Sequence, residues 1–386
     1  MGFPLRRNGS KINKAILHFR AVKRGLGLCG GKRKDKGEQA MSIITIVGAG
    51  MMGSAIGFPA SDNGNEVRLV GTPLDREIIR HARKTGEHLT LRRKLPTGYK
   101  YYQVEELREA LAGADLLVSG VSSFGVDWFL ANILPVIPQT LPVLAVTKGM
   151  QDTEEGQLIP YPHLYAQKLD RKLSLNAVGG PCTSYELADH DPTEVCFCGE
   201  DMEALRKIKA MFETDYYHIS LSTDVVGVEC AVAMKNAYAL AVTLAVGLSE
   251  RIEGVGGTLH YNSQAALFGQ SVREMRKLLA LVGGGDDNIV YGAGDLYVTV
   301  FGGRTRLIGT LLGRGMSFPE AMEELDGITL ESIVIATRTA RAVRRLIARG
   351  EARAEDFPLM LHVDDIINNG KEVAIPWSGF EVETQL

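Results

Sequence analysis

Disulfides do not hold this chain together. Its five cysteines (Cys29, Cys182, Cys196, Cys198, Cys230) are too few and too scattered to frame 386 residues, which fits a reducing compartment and makes the cytoplasm the default location. Cys196 and Cys198 stand two apart on a predicted strand and so share a face, but no nearby Cys or His pair completes a zinc site; they read as small strand residues, and no metal is expected. Tryptophan occurs twice, aromatic residues make up 7% of the chain and the formal charge is only −3, a balance that suggests neither a disordered chain nor a nucleic-acid binder nor a membrane protein. What is present is ordinary globular material, 45% hydrophobic and 23% charged, in a chain longer than one compact core usually holds. Two domains are the natural expectation.

The small net charge hides an asymmetry. The first forty residues carry eleven Lys and Arg against Asp35 and Glu38, a net +9, which leaves −12 on the remainder. This basic segment has no apolar run long enough for a signal peptide, and its Arg-rich, acid-poor start is only weakly similar to an organellar presequence. Met41 opens directly onto the apolar run Ile43–Val47, and Lys36-Gly37-Glu38 can be encoded by purine-rich codons resembling a ribosome-binding sequence. The expectation is a start at Met41, with residues 1–40 a basic extension that is disordered or not translated; a native peptide from residues 11–36 would refute it.

The pattern G-x-G-x-x-G occurs at Gly48–Gly53, but with 43 glycines in the chain roughly half a chance match is expected. A decoy at Gly25–Gly30 has no buried strand before it and no helix after it. The match at Gly48 has both: the strand Ile43–Val47 enters it and a short helix, Ser54–Phe58, leaves. In that context Gly48 permits the tight turn, Gly50 lets backbone approach a pyrophosphate, Gly53 brings helix against strand, and Met51 and Met52 open the helix whose free N–H groups face the anion. Pro59 should shorten or kink that helix. A second strand is expected at Val67–Val70; beyond it stand Gly71-Thr72-Pro73, with Asp75 and Arg76 slightly late, so NAD and NADP cannot be told apart from these residues.

Further strands are predicted at 114–121, 142–147, 172–178 and 193–198, with helices such as 105–111 and 203–212 between them. The alternation predicts an α/β, Rossmann-like, doubly wound and largely parallel sheet over residues 41–222. From about Thr223 helices take over, and residues 223–386 are expected to form an all-α domain. Val225–Leu248 is apolar nearly all round, yet Glu229, Lys235 and Asn236 interrupt it, so a buried core helix is expected and not a membrane span. Lys235 in mid-helix must either meet a partner in a cleft or snorkel to solvent, and this helix alone leaves both readings open. Lys148, in Ala145–Gly149, lies just past a predicted strand, where sheets of this class keep their ligands. Gly292–Thr299, containing Asp295, leads into Gly302-Gly303-Arg304-Thr305-Arg306 and a helix at 307–312; glycine, arginine and a helix start together make a phosphate grip.

In order, the runs GAGMMG, AVTKGM, GGPCTSYELA, VECAVAMKNAYALA and GAGDLYVTVFGGRTRLIG resemble the NAD(P)-dependent glycerol-3-phosphate dehydrogenases, from Met41 to about Arg345. The resemblance implies that Lys235 is the catalytic acid and base, that Lys148 and Asp295 stand beside the reacting carbon, and that Thr299 hydrogen-bonds the substrate. It places Asn236 and Arg304, followed by Thr305, at the substrate phosphate. Gly48, Gly50, Met51, Met52, Gly53, Lys148, Arg304 and Glu331 fall on the cofactor side. NAD(P) as cofactor and a homodimer are implied in the same way. Three features depart from the family's pattern: Thr305 in place of Asn, Cys182–Tyr185 after Gly-Pro, and the glycine-bearing segment Arg251–Asn262. Two alternatives stand beside this reading: a dehydrogenase of the same build for another small phosphorylated or carboxylated hydroxy compound, and a cofactor-binding regulator without turnover. The second predicts an eroded catalytic set, against which Lys148, Lys235 and Asp295 argue.

Overall fold

In the computed structural model of the protein, residues 41–383 are described. The basic extension expected over residues 1–40, its decoy glycine pattern and the question of a start at Met41 lie outside them. Ile43–Val47 forms β1, buried on both faces, as a β-branched run does in the middle of a parallel sheet. Nine further strands follow: β2 (Glu66–Val70), β3 (Tyr99–Tyr102), β4 (Leu116–Ser119), β5 (Val143–Ala145), β6 (Met150–Asp152), β7 (Leu158–Pro160), β8 (Leu175–Gly179), β9 (Thr193–Gly199) and β10 (Tyr217–Ser222).

Eight of them make one sheet in the order β10-β9-β8-β5-β4-β1-β2-β3, with β6 and β7 a separate antiparallel pair. Ile44 is in register with Val67 on one side and Leu116 on the other. The strand order reverses between β1 and β4, so a crevice opens at the carboxyl ends of these two strands. The sheet is parallel except between β8 and β9, whose link holds only the five-residue helix Ser184–Ala188, too short for a full crossover. Strands β3, β6, β7 and β10 were not expected: β6 and β7 are three residues each, and β3 and β10 lie at sheet edges, where half-exposed runs such as Tyr-Lys-Tyr-Tyr lack the continuous apolar signal of a central strand.

The first helix is broken, as Pro59 foretold: α1 (Met51–Ala55) and α2 (Gly57–Asp62) meet at Ile56. Pro59 has no N–H to offer, and its ring crowds the carbonyl four residues back, at Ala55, where α1 stops. On the far side of the sheet lies α3 (Tyr161–Lys168). Cys196 and Cys198 pack with Ala145, Ala177, Val225 and Val228, as small apolar strand residues.

After β10 the described chain is helical: α4 (Val225–Glu253), α5 (Tyr261–Leu281), α6 (Ile289–Val300), α7 (Gly303–Gly313), α8 (Glu331–Ala348) and α9 (Pro358–Asn369). By length and composition α4 could cross a membrane, but 89% of its most apolar stretch is buried in the protein. It is the axis of the helical half because glycines let neighbours touch its backbone. A Cβ on Gly309 would come 2.9 Å from the Leu240 carbonyl oxygen, one on Gly313 2.2 Å from that of Leu244, and one on Gly292 2.7 Å from that of Ala231. The last approach seats α6 on α4 one helical turn from Asp295.

Candidate active site

At the end of β1 the glycine pattern forms a cradle. Gly48 has φ +113°, and a Cβ there would lie 2.5 Å from the Gly120 carbonyl carbon; at Gly53 it would lie 2.1 Å from the Gly48 oxygen. Neither position admits a side chain. Gly50 differs, since a Cβ would meet no protein atom within 4 Å. It faces a cavity of about 420 Å³ at the carboxyl ends of β1, β2 and β4, lined among others by Gly48, Thr72, Leu74, Gly120, Phe124 and Trp128. A closed glycine turn, an open Gly50, the first-turn N–H groups of Met51 and Met52, which a helix leaves without intrahelical partners, and an apolar wall beyond β2 fit a dinucleotide.

Asp75 and His88 hold this turn, the second not singled out from the sequence. Asp75 Oδ2 accepts from the Ala49 N–H at 3.1 Å, the Thr72 N–H at 2.8 Å and the Thr72 hydroxyl at 2.7 Å. Fully buried His88 meets the Ala49 carbonyl through Nε2 at 2.8 Å, while its Nδ1 accepts from the Leu91 N–H at 2.9 Å. That acceptance assigns the ring proton to Nε2, so His88 donates to Ala49; burial lowers its pKa and favours the neutral ring this requires. The Ala49 residue is thus clamped at both its N–H and its carbonyl.

Past β5, Thr147 donates to the Val121 carbonyl at 2.5 Å, and Lys148 turns toward the helices. Its Nζ donates to the Gly180 carbonyl at 2.7 Å and to Asp295 Oδ2. Lys235 Nζ, from α4, donates to Asp295 Oδ1 at 2.7 Å. One carboxylate therefore holds two ammonium groups, one on each oxygen. Asp295 is 1% exposed, whereas the Lys148 and Lys235 side chains keep 18% and 15%, enough to face a cleft. The question left open by α4 alone is answered: Lys235 meets a partner. Its pKa is lowered, first by desolvation and also by the Lys148 charge, with Asp295 opposing.

Thr299 donates to the Asp295 carbonyl one turn back at 2.7 Å, and so anchors its hydroxyl beside the carboxylate's own backbone. Asn236 follows Lys235 on α4, half-buried. The helix expected at 307–312 begins earlier, at Gly303, because Gly302 and Gly303 (φ +78°) make the turn; Arg304 and Thr305 therefore occupy its first turn. Arg304 is exposed and makes no hydrogen bond or ion pair among the described residues, and the structure draws neither it nor Asn236 into the hydrogen-bonded cluster. Glu331 opens α8 and accepts from the Ser123 hydroxyl at 2.7 Å and the Ser123 N–H at 3.3 Å, reaching from the helical half to the loop after β4. Cys182, from one of the departing segments, lies close enough to feel Lys148 and Lys235, and burial pushes its thiol up to about 12, so it stays protonated.

Comparison with known proteins gives the family. Residues 43–205 match the family described as NAD-dependent glycerol-3-phosphate dehydrogenase N-terminus, and residues 224–376 match its C-terminus. The chain is 34% identical to the NADP(+)-dependent glycerol-3-phosphate dehydrogenase of Archaeoglobus fulgidus over 86% of its own length and 96% of that protein's. It is 28% identical to the glycerol-3-phosphate dehydrogenase [NAD(P)+] of Shouchella clausii, covering 86% of this chain and 93% of that one. In fold it resembles the glycerol-3-phosphate dehydrogenase of Plasmodium falciparum, with a TM-score of 0.73 at 20% identity over 90% and 96% of the two chains. With both halves matched and a relative at this identity aligned over nearly its whole length, the chain belongs to the NAD-dependent glycerol-3-phosphate dehydrogenase family.

Proposed function

We propose that the protein interconverts dihydroxyacetone phosphate and glycerol 3-phosphate by hydride transfer with NAD(P), and that Lys235, Lys148 and Asp295 are its catalytic residues. The observation that carries this reading is the pair of lysines on opposite oxygens of buried Asp295, at the carboxyl edge of the sheet and across from a dinucleotide cradle. The bound dinucleotide supplies or takes the hydride. Lys235, its pKa lowered by desolvation, gives a proton to the oxygen that becomes the C2 hydroxyl, and takes it back in the reverse direction. Lys148, tethered to Gly180, polarises the same oxygen and keeps a positive charge beside it. Asp295 orients both ammonium groups, and Thr299 hydrogen-bonds the substrate. Asn236, Arg304 and Thr305 take the phosphate at the start of α7, where first-turn N–H groups are unbonded and Arg304 has no competing partner among the described residues.

Gly48, Gly50, Met51, Met52 and Gly53 receive the pyrophosphate; Glu331, through Ser123, and Lys148 and Arg304 at the reactive end complete the cofactor side. The cofactor is NAD(P), and Asp75, engaged by Ala49 and Thr72, is held to its own turn beside the cradle. The protein acts in the cytoplasm, where the free thiols of Cys182, Cys196, Cys198 and Cys230 persist, and as a homodimer. The deciding experiment follows NADH and NADPH oxidation with dihydroxyacetone phosphate and a panel of other phosphorylated and carboxylated ketones. Dihydroxyacetone phosphate is expected to give the highest kcat/KM; a better substrate elsewhere in the panel would overturn the assignment.

A further inference from the structure

The chain leaves β5 through Thr147, Lys148 and Gly149 and enters the β6–β7 hairpin at Met150. On the near side of Lys148 the backbone is fixed by Thr147, whose hydroxyl donates to the Val121 carbonyl at 2.5 Å. On the far side the ladder itself cannot do this. Met150 is fully buried and stands in register with Pro160 of β7, which has no N–H to offer across the pair. A buried carbonyl left without a donor is costly, and here the donor comes from another element: Arg338 Nη1, on α8, reaches the Met150 oxygen at 2.8 Å. Between the two fixed points lies Gly149, where a Cβ would come 2.4 Å from the Tyr161 ring. The ring therefore seats directly on the backbone next to Lys148.

Arg338 belongs to a row on α8. Arg341 closes on Asp152 through Nε at 3.0 Å and Nη2 at 2.8 Å, and Arg345 closes on it through Nη1 at 2.8 Å. Those two hold the hairpin four residues beyond Lys148, whereas Arg338 holds the carbonyl two residues beyond it. The first residue of the same helix, Glu331, accepts from the Ser123 hydroxyl in the loop whose neighbours Ser122 and Phe124 line the dinucleotide cavity. One helix thus fixes the loop beside the cofactor cavity and the backbone leading away from Lys148.

We propose that Arg338 is a positioning residue for the reaction: by donating to the Met150 carbonyl in place of the N–H that Pro160 lacks, it sets the backbone from which Lys148 reaches Gly180 and Asp295. The inference rests on Lys148 acting in the reaction proposed above. Its effect is carried through the Lys148 ammonium, and a displacement of about 1 Å in a positioned group can cost on the order of 10²-fold in rate.

The test reads the single-turnover rate of reduced-cofactor oxidation with dihydroxyacetone phosphate. Arg338→Met removes the donor and keeps the aliphatic bulk; the rate should fall by about tenfold or more while cofactor affinity stays within about twofold. Arg338→Lys, which keeps one donor for one acceptor, should recover most of the loss. Arg341→Met loosens the hairpin farther from Lys148 and should lower the melting temperature with the rate held within about twofold; a rate loss equal to that of Arg338→Met would overturn the proposal. The decisive step adds Arg338→Met to Lys148→Met, where no ammonium is left to position. Its further cost there should shrink to less than about twofold. The same factor in both backgrounds would show that Arg338 supports the fold and not Lys148, and an unchanged rate in Arg338→Met alone would be equally fatal. Gly149→Ala, whose Cβ meets the Tyr161 ring, perturbs the same backbone by another route and should show the same dependence on Lys148, so the proposal stays refutable if Arg338→Met does not fold. Lys148→Met at the wild-type rate would overturn the catalytic assignment of Lys148 and this inference with it, and is told apart from failure here because Arg338 is then untouched.

Discussion

Replacing Asp295 with Asn tests the cluster at its centre. The wild-type carboxylate accepts from Lys148 on one oxygen and from Lys235 on the other. An amide keeps the shape but offers one acceptor, and its NH₂ confronts an ammonium donor. Two ammonium groups on opposite sides of one carboxylate are about 5 Å apart, so without the intervening charge they repel by about 3 kcal/mol at an effective dielectric constant near 20. That corresponds to a pKa fall of about two units on one of them. Lys148 retains the Gly180 carbonyl, whereas Lys235 has no other acceptor in the cluster, so Lys235 is the group that loses its proton. The alkaline limb of kcat/KM for dihydroxyacetone phosphate reduction should move down by one to two pH units, with a loss of ~100-fold near pH 8 that is partly recovered near pH 6. Steady-state rates across that range, with circular dichroism to check the fold, supply the measurement. A profile lowered equally at all pH values would show that Asp295 orients the lysines without setting their charge, and activity above about a tenth of wild type throughout would place the proton donor elsewhere.

Other substitutions probe the remaining parts. Lys235→Ala should reduce turnover by 10²–10⁴-fold while fluorescence titration shows NADH binding nearly unchanged; a parallel loss of binding would contradict its assignment to proton transfer. Arg304→Lys keeps the charge but loses the fork, so KM for dihydroxyacetone phosphate should rise at least tenfold, ~1.4 kcal/mol if KM tracks affinity, whereas phosphate-free dihydroxyacetone should be indifferent; equal losses on both would rule out a phosphate contact. Gly48→Ala should fail to give stable protein, since its Cβ would strike Gly120, while Gly50→Val should fold and lose dinucleotide affinity; thermal melts and titration separate the two, and the reverse pattern would refute the cradle. His88→Leu should raise KM for the dinucleotide severalfold with little change in kcat, and His88→Gln, which restores a donor for the Ala49 carbonyl, should recover most of it; no difference between the two would show that His88 only fills space.

The parts of this site that were legible in the sequence are those built from local pattern. Gly48–Gly53 could be told from the decoy at Gly25–Gly30 because a buried strand enters it, and Pro59 announced the break at Ile56 because a ring clash is a local event. Hydrogen bonds to backbone leave no such trace. Asp75 stood out only as an acidic residue slightly late for the adenosine ribose and His88 not at all; they clamp the Ala49 residue from 26 and 39 residues away, and any side chain with a donor or acceptor in the right place would serve, so no spacing rule finds that role. Edge strands β3 and β10 escaped for a related reason: with one side unpaired and faces half exposed, their composition is that of loops.

Lys235 shows how the two kinds of information combine. The apolar run of α4 made a mid-helix lysine conspicuous but could not say whether it was rescued by solvent or by a partner. The answer came from Asp295, sixty residues on, and its approach depends on Gly292, where a Cβ would collide with Ala231 and hold α6 away from α4. Full neutralisation by a private carboxylate would have stabilised the ammonium and raised its pKa, leaving a poor proton donor. Sharing one carboxylate between two lysines leaves the attraction incomplete, and the desolvation that made Lys235 look misplaced then lowers its pKa toward the range where it can both give and take a proton. Burial in an apolar helix and catalytic competence are therefore the same physical fact, and a change that relieved the first, such as a second acceptor near Lys235, would diminish the second.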